Sequence, residues 1–159
     1  MATANDPVAF FNNFVTEAMK ILHDTLIETL SFLGNQCVKR IRQRGSTESW
    51  IDQTGNLRTS IGFAVIDKGK TTVESAFEQV KQGTEGQGAS KKYIESVQAK
   101  YNDTYALLVV AGMDYAAAVE ARDNKDVLAS TELWARSVID DYMQRGVELA
   151  QKRIQKLMG

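Results

Sequence analysis

A single cysteine, Cys37, leaves no partner for an intrachain disulfide, so the fold does not call for an oxidising compartment. One cysteine and one histidine also exclude every Cys/His-rich structural zinc arrangement, which needs four such ligands. No stretch approaches the ~18 uninterrupted apolar residues of a membrane-spanning helix. The opening MATANDPVAF has no basic segment ahead of an apolar one, and Asp6 interrupts its apolar character, so synthesis in the cytoplasm is the expectation. Charge of one sign is not in excess either. Against 20 Asp+Glu stand 19 Lys+Arg, a net charge of −1, and no global field draws the chain to nucleic acid or membrane. What the chain does have is 159 residues, 43% of them hydrophobic, enough for a single domain, 1–159, to bury its own core.

Asn5-Asp6-Pro7 reads as a helix start, an Asx cap followed by proline at the first helical position, where its missing N–H costs nothing. Apolar residues then recur as Phe11, Phe14/Val15, Ala18/Met19, Leu22, Leu26, Leu30, Leu33, Cys37 and Ile41. Intervals of three and four predict one helical face over about 7–43. A straight helix of that length measures roughly 55 Å, whereas a compact domain of this size has a radius of gyration of about 15 Å. Either the helix breaks, with Gly34 the natural place, or it projects beyond its own domain and needs a partner. Lys39, Arg40, Arg42 and Arg44 gather at its end. Cations there meet the partial negative charge of a helix C-terminus, with Gly45 as cap. The alternative is a basic contact patch for nucleic-acid phosphate or an acidic partner subunit. No aromatics interleave with it, which argues against a single-strand surface.

Residues 46–58 are polar, with a turn at Thr54-Gly55-Asn56. Ile61–Ile66 and Thr71–Phe77, around Asp67-Lys68-Gly69-Lys70, predict a hairpin. The glycines of 82–90 predict a flexible loop, after which Ser90 would cap a short helix ending near Tyr101. Tyr105–Ala111 is a continuous apolar run, the pattern of a strand buried on both faces. A short helix over Tyr115–Ala121, an edge strand at Val127-Leu128 and a long helix from Ser130 complete the order, the last with Ala135, Val138/Ile139, Tyr142/Met143, Val147, Ala150, Ile154 and Leu157 on one face. The fold class expected is α+β: a small, mostly antiparallel sheet, a hairpin plus a buried strand, packed by long N- and C-terminal helices.

Chemistry is sparse. His23 lies on the flank of the first helix, and its neighbour Asp24 does not share its face, so the pair is not expected to form a dyad. Cys37 on the apolar stripe reads as a buried, inert thiol. Asp114, Glu120, Asp123 and Asp126 cluster around a turn without calcium-loop spacing, leaving at most a weak magnesium site. Gly83, Gly86 and Gly88 match a phosphate loop only in glycine count. The turn Gly55–Arg58 reads as a structural turn, or less readily as an anion cradle. No catalytic, cofactor or metal residue is expected.

Two segments carry a family pattern. Thr54-Gly55-Asn56-Leu57-Arg58-Thr59-Ser60-Ile61 resembles the TGxLRxSI element leading into the first strand of the tail-component (tail-completion, or neck) proteins of long-tailed bacteriophages. Asp114-Tyr115-Ala116-Ala117-Ala118-Val119-Glu120 resembles that family's xYAxxVE element, which follows a buried strand and a Gly turn. The order of elements is similar over about 10–157. The chain departs from the pattern after Glu120, where it reads Ala121-Arg122-Asp123, and at Leu128-Ala129-Ser130-Thr131, where the family has a proline-containing entry to the last helix.

The resemblance implies a non-enzymatic virion component at the head–tail junction. Copies of it would form a ring around the DNA channel, between connector or head-completion proteins and tail-tube or tail-terminator proteins, with DNA passing nearby unbound. Within that reading, Leu57, Ile61, Val109 and Tyr115 pack the motif turns, and Gly55 supplies a positive φ. Arg58 and Glu120 pair with each other or with a neighbour, while loop 82–90 and the helix end 34–45 contact other subunits. The rival readings are a stand-alone adaptor using its helix faces, and a small enzyme or ligand-binding domain with a site at Asp114, Glu120 and Arg122.

Overall fold

Asp6 starts the first helix by accepting, through Oδ1, the backbone N–H groups of Val8 (3.0 Å) and Ala9 (3.3 Å). The computed structural model describes residues 6–43, 60–75, 85–111 and 128–159. Helix α1 runs Pro7–Gln43 without a break at Gly34. Strand β1 (Ile61–Asp67) turns through Lys68-Gly69 into β2 (Lys70–Glu74). Lys68 and Gly69 both have positive φ, 48° and 86°, the two-residue turn whose twist matches antiparallel strands. Helix α2 (Glu85–Val97) and a 3-10 turn (Gln98–Tyr101) lead to β3 (Tyr105–Ala111), and α3 (Ala129–Gln155) follows.

The sheet order is β2-β1-β3, all antiparallel, so β1 is the central strand. Its two faces are covered by different layers. Ile61, Phe63 and Val65 meet Leu30, Val38 and Ile41 of α1, with Leu107, Val109 and Met143 packed around them. Ala64 and Ile66 meet Ile94 of α2, with Val110 beside them. Burying each large side chain of this core contributes roughly 2 kcal/mol. The fold is therefore α+β, with α1 and α3 on one face and α2 on the other.

The two long helices pack antiparallel. The Arg40 guanidinium lies 4.3 Å over the Trp134 ring, and Phe32 meets Tyr142 at 5.8 Å. Gly146 passes against Thr29, and Arg153 donates to Glu28 Oε2 (2.7 Å) and Thr25 Oγ1 (3.1 Å).

Three expectations need correction. Residues 85–90 belong to α2 rather than to a loop, and Ser90 is inside the helix, its Oγ donating to the Ser60 carbonyl instead of capping. That buried hydrogen bond and the docking of Ile94 offset the glycine cost of the first turn; residues 82–84 lie outside the described residues. Strand β3 is an edge strand with only Val110 fully buried, and the strand covered on both faces is β1. An apolar run does not distinguish edge from centre, because pairing order is a tertiary property. On α3 the tightest contact falls at Gly146 rather than Val147, which is exposed.

A Cβ at Gly34 would meet the buried Phe63 ring at 2.5 Å, whereas one at Gly88 meets nothing within 4 Å. Gly34→Ala should lower stability by about 2 kcal/mol through overpacking. Gly88→Ala should raise it by about 0.5–1 kcal/mol by removing glycine from a helix. Urea denaturation of both variants checks the pair of signs.

Candidate functional site

Of the ten motif residues, only Ile61 is among the described residues; Thr54, Gly55, Asn56, Leu57, Arg58, Asp114, Tyr115, Val119 and Glu120 lie outside them. Arg122, Asp123 and Asp126, invoked for a rival site, lie outside them too. Ile61 is a fully buried core residue, so its own side chain is no interface. Its backbone is informative. Ile61 is the Cα partner of Ala111, so the segment that ends at Ile61 and the segment that begins after Ala111 are rooted side by side on adjacent strands. Residues 43 and 128 flank these segments at the same end of the sheet, as the Arg40–Trp134 contact and the Arg42–Ile61 bond (below) show.

Two members of the basic cluster make contacts within the fold. Arg40 stacks on Trp134, and Arg42 Nη2 donates to the Ile61 carbonyl at 2.9 Å, tying the helix end to the first residue of β1. Lys39 is exposed, and Arg44 lies outside the described residues. Within 34–43 the helix is two-sided: Gly34, Cys37, Val38 and Ile41 are buried in the core, while Asn35, Lys39, Arg40 and Gln43 are exposed.

His23 is a fastener between α1 and the far end of the sheet. Its Nε2 lies 2.7 Å from Asp67 Oδ2, its Nδ1 lies 3.1 Å from Asp24 Oδ1, and the ring tilts against Tyr105 at 5.9 Å. Contact with Asp24 corrects the expectation from helix geometry: the imidazole bridges both carboxylates, one through each ring nitrogen. No sequence signal pointed to Asp67, 44 residues away. Asp67 first, then Asp24, raise the His23 pKa above 6.5 by favouring the imidazolium. The same geometry on a surface pair elsewhere lowers the Glu28 pKa, through its bond from Arg153.

Between α1, α3 and β3 lies an apolar cleft of about 420 Å³, with Leu33, Cys37, Leu107, Leu128, Ala135 and Ile139 among its walls. Glu132 and Arg136 stand on its rim, joined to each other at 2.9 Å. Burial pushes the Cys37 thiol up to about 11, so it is no nucleophile at neutral pH. A second depression, about 320 Å³, is bordered by Lys70, Glu74, Lys91 and Glu95. Among the described residues no group of three His, Cys, Asp or Glu is arranged to hold a metal, and no helix is long and apolar enough to cross a membrane.

Among the described residues, exposed apolar side chains gather on the N-terminal part of α1. His23 and Thr25 make, among the described residues, the polar contacts of α1 with the sheet and α3 that lie nearest its N-terminus, and residues 7–19 add about 20 Å of helix ahead of them. There Val8, Phe10, Phe11 and Met19 each leave 60–73% of their surface exposed, and Val15 40%. Phe10 stands off the apolar stripe that runs from Phe11 to Ile41.

Fold and surface together define an α+β helix–sheet protein whose long first helix overhangs its own core. No protein-family profile, no curated protein and no solved structure matches the chain.

Two outcomes test these assignments. The His23 imidazolium is favoured in the folded state, so its contribution is complete below pH 6.5 and is lost as pH rises through the raised pKa. Melting temperature followed across that range should fall, and Asp67→Asn should flatten the fall. Cys37 should resist a thiol reagent at neutral pH in the folded protein and react promptly in urea; fast labelling of folded protein would contradict its burial.

Proposed function

We propose that this protein is a non-enzymatic structural component of the head–tail junction of a long-tailed bacteriophage, present in several copies around the DNA channel. The observation that carries an assembly role is the α1 overhang. A helix end that displays two phenylalanines, two valines and a methionine among the described residues is an apolar patch of the size that is often functional, and an interaction site is the role such a patch supports. The station at the junction comes from the resemblance of 54–61 and 114–120 to the tail-completion family. It is supported by the Ile61–Ala111 pairing, which roots both elements at one end of the sheet while the overhang leaves from the other. On this reading the partners are further copies of the chain, connector or head-completion proteins, and tail-tube or tail-terminator proteins. DNA passes nearby without specific binding, consistent with the net charge of −1.

The overhang also favours one other reading, a stand-alone adaptor that uses the same helix face to hold a single different protein. Mass spectrometry of purified particles from a strain encoding this chain separates the two. The junction reading expects the chain in virions, and expects a nonsense mutation to leave filled heads and finished tails unjoined in electron micrographs. Intact infectious particles lacking the chain would sink it.

A further inference from the structure

We draw no further inference here: the strongest candidate, the exposed apolar surface along residues 7–19 of α1, carries nothing further, because nothing among the described residues shows what covers it.

Discussion

Much of this structure depends on how closely α1 can approach β1. At Gly34 a single hydrogen stands where any other residue would drive a methyl group into the Phe63 ring. That approach lets Leu30, Leu33, Cys37, Val38 and Ile41 sink into one face of the sheet, and it fixes the helix in rotation and height. The antiparallel packing of α3 uses a second small residue in the same way, Gly146 against Thr29. With two close approaches on one helix, α1 has no freedom to slide, and its surplus length must leave from the N-terminal end.

The surplus follows from simple lengths. A seven-residue strand is about 23 Å long, while a 37-residue helix is about 55 Å. The C-terminal half of α1 is consumed by the sheet and α3, and His23 marks where cover ends, bonded to the last residue of β1. Beyond it the helix keeps its form because Asp6 caps it, yet its apolar side chains face water. Among the described residues the two ends are unlike: at one the strands β1 and β3 meet the motif-bearing stretches of the sequence, and at the other α1 carries exposed apolar side chains.

The legible part of the fold was the local part. Intervals of three and four from Phe11 to Ile41 marked α1, and the Asx-Pro start was seen in Asn5-Asp6-Pro7. Asp67–Lys70 was readable as a hairpin turn because glycine follows a short strand there. Illegible were the placement of β3 at the edge, the helical state of 85–90 and the use of Arg40 and Arg42. Each of those depends on a partner far away in sequence: β1 for the strand, Ser60 for Ser90, and Trp134 and Ile61 for the two arginines. The partners of the basic cluster were not legible because charge at a helix end carries no mark of what will pack upon it.

The sequence by itself determined that the helical stretch 7–43 is too long to lie straight within its domain, since periodicity sets helix length and chain length sets domain size; that it runs on through Gly34 instead of breaking there was decided by the tertiary structure. The sequence determined as well that Cys37 would be apolar in its surroundings, for the stripe it sits on has to be buried. Only the tertiary structure decided which end of α1 is covered. Both halves carry apolar residues at helical spacing, and the choice between them rests on the one close approach at Gly34 and on the pairing of His23 with Asp67, neither of which is a property of neighbouring residues.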